Sequence, residues 1–144
     1  QSIDSLHFTG NIADDRFDRY KNYLGEWEKD VLYDSLTDYG NLVLISDGEV
    51  HPRVCTEALA AGLGVVISEC GIANLDLDRE FITVIPDDRI RDIDFVQNEV
   101  IKNREYSLKN RQEIHDYSMK FDWKNVFDTY YFPSIEKIIG RYNG

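Results

Sequence analysis

The sequence predicts an α/β fold: a Rossmann-like, largely parallel sheet with flanking helices, followed by further helices that finish the chain. Three observations lead there. Apolar runs rich in β-branched residues occur at 41–46, 63–68 and 81–85, each bounded by turn residues. Their hydrophobicity is continuous rather than alternating, which marks strands covered on both faces. Helical patterns fall between them, and strand–helix–strand alternation builds a sheet with right-handed crossovers.

Taken in order, residues 6–10 form a weaker candidate strand and residues 20–25 a possible further one. Residues 27–36 place Trp27, Val31, Leu32, Tyr33 and Leu36 near helical spacing. After the strand at 41–46, a helix is expected over 52–61. Pro52 suits its first turn, where a missing N–H costs nothing, and Gly62 suits the position just past its end. Strands follow at 63–68 and 81–85. Beyond Pro86 the texture changes to a long, polar, charged helical stretch over 90–120. An aromatic helical region over 122–142 comes last, with a break expected at Pro133. No internal repeat, low-complexity run or linker interrupts the 144 residues, which suffice for one compact domain.

Charge narrows the function classes. A net charge of −11 argues against a nucleic-acid binder and against docking on anionic lipid, both of which need a basic face. A small anionic ligand stays compatible, since local donors outweigh distant, screened charges. The longest apolar stretch, 58–67, is interrupted by Gly62 and Gly64 and falls short of the roughly 18 residues a spanning helix needs. With no signal-peptide pattern at residues 1–11, a cytoplasmic location without a direct membrane span is expected. Gln1 in first place reads as a processed chain or an excised fragment. Cys55 and Cys70 have no metal-site or disulfide spacing and read as two buried thiols in a reducing compartment.

The chemistry concentrates between 46 and 67, a strand–loop–helix–glycine–strand sequence. It sets a helix N-terminus at the carboxyl end of the sheet, where open α/β folds bind ligands. Amides around His51, Pro52, Arg53 and Val54 then face the crevice with the helix dipole behind them, which suits a phosphate. His51 and Arg53 add positive charge locally. Glu49 lies in the loop and Glu57 eight positions later, inside the helix. A carboxylate beside a sugar accepts two hydroxyl hydrogen bonds at once. By spacing alone, Glu57 suits an i,i+4 ion pair with Arg53 on a solvated face better than a ligand role.

Glu49, seven intervening residues and Glu57-Ala58-Leu59-Ala60-Ala61-Gly62, then Val65-Val66, resemble the EX7E signature of retaining GT-B glycosyltransferases, family 4 above all. Further landmarks fall in that family's order. Tyr23-Leu24-Gly25-Glu26-Trp27 resembles the strand and helix before the signature, and Cys70-Gly71 the glycine loop after the next strand. Residues 82–86 resemble the strand before the terminal helices, and Phe121-Asp122-Trp123 the start of the last helical region. The resemblance spans about residues 20–135. It implies that residues 1–144 are the nucleotide-sugar-binding lobe of a hexosyltransferase acting with retention of configuration. It also implies that the acceptor-binding lobe is missing, that no metal or cofactor is needed beyond the nucleotide-diphosphate-sugar donor, and that the isolated chain is inactive. Carried over, Glu57 holds the ribose, Glu49 approaches the donor sugar as the catalytic residue, and the amides of 51–54 hold the diphosphate. The base lies near Gly25, Glu26 and Trp27, although Trp27 also suits the core. Residues 6–10 resemble the lobe's second strand, with Thr9-Gly10-Asn11 at its ligand end.

One family feature is not found. The first strand–helix unit, with its diphosphate-neutralising arginine and lysine, has no counterpart, and Arg16, Arg19 and Lys21 do not match those positions. Three rivals stand beside this reading. One is a GT-B-fold nucleotide-sugar epimerase, and another is a degenerate lobe kept for interaction. The third is a receiver-type signalling domain built on Asp14, Asp15 and Asp47, which lacks the lysine that fold needs after its last strand.

Overall fold

A computed structural model describes residues 6–10, 19–46, 48 and 52–142. The chain divides into two compact units, residues 1–35 and 36–144, and each is described by itself.

In the first unit, the two candidate strands meet in a single parallel bridge between Phe8 and Tyr23 rather than in full strands. Phe8 N–H donates to Asn22 O at 3.0 Å and Leu24 N–H to Phe8 O at 2.9 Å. The Phe8 ring stacks on Tyr23, with centroids 5.4 Å apart, and meets Tyr20 edge-on. Gly10 N–H donates to Gly25 O at 3.0 Å, and Tyr23 Oη–H to Gly10 O at 2.7 Å. Gly25 has φ +77°, a left-handed conformation that side chains resist. Helix α1 (Lys29–Ser35) closes the unit, starting two residues after Trp27.

The second unit is an α/β layer structure. Strands β1 (Asn41–Leu44), β2 (Gly64–Ser68) and β3 (Ile82–Ile85) form a parallel sheet in the order β1-β2-β3. Leu42 pairs with Val65 and Val65 with Ile82. Every residue of the central strand is buried, as its unbroken apolar run requires, whereas β1 is half-buried throughout. Helix α2 (Arg53–Ala60) links β1 to β2 and packs on both through Cys55, Ala58 and Leu59. Pro52 is the residue before the first turn rather than within it, and Gly62, at φ +77°, follows the helix end. A Cβ on Gly62 would stand 2.9 Å from Arg111 O, so glycine is needed there twice over.

Helix α3 (Ile93–Lys109) lies across all three strands, and α4 (Arg111–Ser118) packs on α2. Asn103 of α3, 2% exposed, sits over the amino-terminal edge of the sheet. Its Nδ2 donates to Val65 O at 3.2 Å, Phe81 O at 3.0 Å and Thr83 Oγ1 at 3.1 Å. Its Oδ1 accepts from Asn41 Nδ2. Gly64 makes room for this helix: a Cβ there would lie 2.0 Å from Ser107 Oγ and 2.6 Å from Asn103 Oδ1. Phe81 and Ile114 complete the core, with Tyr117 edge-on to Phe81 at 5.1 Å.

The expected break at Pro133 is absent. After the short α5 (Trp123–Val126), a π-helical segment (Phe127–Tyr131) runs directly into α6 (Phe132–Tyr142), which contains Pro133. A regular helix would bring the carbonyl of Thr129, four residues before the proline, against its ring; here Thr129 lies in the π-helical segment instead. No helix among the described residues is long and apolar enough to cross a membrane.

Candidate functional site

Glu49 and His51, along with Asp47 and Val50 of the same loop, lie outside the described residues, as do Asn11, Asp14, Asp15 and Arg16. Pro52, Arg53, Val54 and Glu57 all lie on α2 or at its start. The helix leaves from the carboxyl side of β1, the ligand-binding side of an open α/β sheet. Pro52 is buried and Arg53 exposed. Pro52 offers no side-chain cap, and Cys55 N–H turns back to Pro52 O at 3.1 Å. The amides of Arg53 and Val54, in the first turn, have no acceptor within the helix itself, the arrangement that lets a helix start receive an anion.

Gly71 lets the chain after β2 turn back tightly over Ile67, with Pro52 at ordinary contact distance. It ends a 3-10 turn (Glu69–Gly71), and a Cβ on it would stand 2.5 Å from Ile67 Cδ1 and 3.7 Å from Pro52 Cγ. The two landmarks on either side of β2 thus converge on one place.

Glu57 is half-buried one turn further along α2. It borders a groove of about 240 Å³ shared with Thr56 and Ala60 of α2, His115 of α4, and Met119 and Phe121 beyond it. His115, for which the sequence offered no partner, places Nδ1 2.7 Å from Ala60 O and so caps the end of α2. The expectation of two buried thiols holds for Cys55, which is 2% exposed, and fails for Cys70. Cys70 is exposed because it belongs to the 3-10 turn that leaves β2, and its thiol donates to Ser46 O at 2.7 Å.

In the first unit, Gly10 and Gly25 are hydrogen-bonded neighbours, Glu26 is exposed and Trp27 half-buried. Arg19 and Lys21 are exposed there too. Beyond β2 in the chain, the Phe95 N–H and Arg89 hold Asp92 below the usual carboxylate range, and Arg79 does the same for Asp76.

Comparison of the chain with protein-family models, with curated proteins and with solved structures gave no significant match.

Proposed function

We propose that this chain is the nucleotide-sugar-binding lobe of a retaining GT-B glycosyltransferase. What supports this most directly is a single arrangement: a helix N-terminus to which Pro52 gives no side-chain cap, at the carboxyl end of a parallel sheet, with a half-buried carboxylate one turn inside the same helix. The first feature suits a diphosphate and the second suits vicinal hydroxyls, and their order along the chain is that of the EX7E pattern.

In this reading the amides of Arg53 and Val54 bind phosphate oxygens, assisted by the α2 dipole and the Arg53 guanidinium. Glu57 accepts two hydrogen bonds from the ribose hydroxyls. Glu49 is assigned to the transferred sugar by the resemblance. Charge on the leaving diphosphate is stabilised by fixed dipoles and cations rather than by a metal. Transfer itself requires an acceptor-binding lobe, so this chain binds the donor and by itself turns over little.

Glu57→Gln keeps the shape and removes the charge. It is expected to weaken nucleoside-diphosphate binding by about 1–2 kcal/mol, the scale of a charged hydrogen bond. A variant that bound uridine and guanosine diphosphates as tightly as the parent would remove the ribose assignment.

A further inference from the structure

Two guanidinium groups meet at the amino end of the sheet, where the donor-site reading places nothing. Arg111, the first residue of α4, reaches back to the turn before β1 and donates from Nη2 to Tyr39 O at 2.6 Å. Its other terminal nitrogen, Nη1, is buried and has no hydrogen-bond partner, alone in this among the described side chains. Arg104 of α3 comes to the same turn. A Cβ built on Gly40 would lie 2.6 Å from Arg104 Cγ and 3.2 Å from its Nε. Arg104 is half-buried, and neither arginine has an acidic partner among the described residues. Asp38, beside Tyr39, and Glu105, beside Arg104, are exposed and pair with neither. This occurs in a chain with 27 acidic and 16 basic residues, where carboxylates are plentiful.

A guanidinium keeps its charge at any ordinary pH, and its fork of N–H donors fits the oxygens of an oxyanion. A buried N–H without an acceptor is costly, and native structures rarely leave one. An anion at this turn supplies the acceptor. Arg104 has no hydrogen bond to break, so it turns toward such an anion at little cost. Nη1 of Arg111 then gains a partner while Nη2 stays on Tyr39 O. Two guanidiniums balance two negative charges, which favours a phosphate group over a single carboxylate. We propose that Arg104 and Arg111 form a site for a dianionic phosphate group, free or esterified, at the turn before β1. That turn lies at the other end of the strands from the start of α2, so the site is separate from the donor site and stands without the donor-lobe reading.

The test titrates this chain with inorganic phosphate or glycerol 3-phosphate, with sodium chloride at matched ionic strength as the control. NMR follows the Tyr39 and Gly40 amides and the Arg104 and Arg111 Nε–H signals. Saturable shifts of these signals with phosphate, and none with chloride, are expected. Arg104→Gln keeps the stem that lies against Gly40 and removes the charge, so it should raise the apparent Kd about tenfold. Arg104→Lys, a point charge without the fork, should restore only part of the affinity. Tighter binding of glycerol 3-phosphate than of phosphate would identify an ester as the ligand, and the reverse the free ion. Shifts confined to the Arg53 and Val54 amides, shifts reproduced by chloride, or no shifts at all would overturn the site. So would an Arg104→Gln variant, shown to be folded by its amide spectrum, that bound phosphate as tightly as the parent.

Discussion

Local backbone and capping chemistry set where the helices begin and end. Gly62 stands just past α2 at φ +77°, a left-handed backbone that glycine accepts cheaply. Asp92 shows the same local logic with charge. Its carboxylate caps α3 by accepting from Phe95 N–H at 3.0 Å, and that bond, with Arg89 second, lowers its pKa. A folded-state pKa below the unfolded one means that the cap's contribution is present above the ordinary carboxylate value. It is lost as pH falls through the folded value, somewhere below about pH 4. The Phe95 amide is expected to lose exchange protection in acid in the parent chain, and in Asp92→Asn, which still caps, to lose this pH dependence. Partners distant in sequence were illegible. Nothing near His115 announces the Ala60 carbonyl, and nothing near Cys70 announces Ser46, because both bonds exist only once the sheet has assembled.

Among the elements, β1, β2 and β3 lie within the three apolar runs, since continuous β-branched sequence has few other homes than a covered strand. The weaker run at 20–25 yields one bridge residue, Tyr23, because its aromatic and polar residues pack locally around Phe8 instead of pairing along a ladder. The helix after Pro52 was legible from its proline and glycine limits. The π segment before Pro133 was not, because helical periodicity cannot say whether a proline breaks a helix or is absorbed by a wider turn. Asn103 was hidden inside a polar helical stretch, yet it ties α3 to the backbone of β2, the residue before β3, and the Thr83 side chain. Asn103→Ala is expected to lower unfolding free energy by about 2–3 kcal/mol in urea titrations, because several buried partners lose a bond together. Gly64→Ala, which forces a methyl into Ser107 and Asn103, should cost about 3 kcal/mol in the same experiment. A loss below about 0.5 kcal/mol in either would mean that the α3–sheet contact is not a main support of the unit.

At the scale of the whole chain, composition narrowed the function classes and the motif supplied the functional proposal. The charge of −11 has a kinetic consequence for any anionic ligand. Long-range repulsion slows encounter and salt screens it. Association of a nucleoside diphosphate is therefore expected to quicken as ionic strength rises from about 0.01 to 0.15 M, the opposite of a nucleic-acid binder. Stopped-flow rates at the two salt concentrations would show this directly, and a steep fall would mean that a concentrated basic patch governs encounter. The strand–helix–strand arrangement was readable because the ligand end of an α/β sheet follows from topology alone. Under the donor-lobe proposal, the identities of base, sugar and acceptor were not, since these would turn on a few side-chain contacts that no periodicity records.

The most direct test of the donor-lobe proposal is a calorimetric titration of this chain with UDP, GDP and ADP, run in parallel on Glu57→Gln. Selective binding of one nucleotide by the parent, weakened about five- to thirtyfold in the variant, is the predicted result. Binding of none, or equal binding by parent and variant, would contradict it.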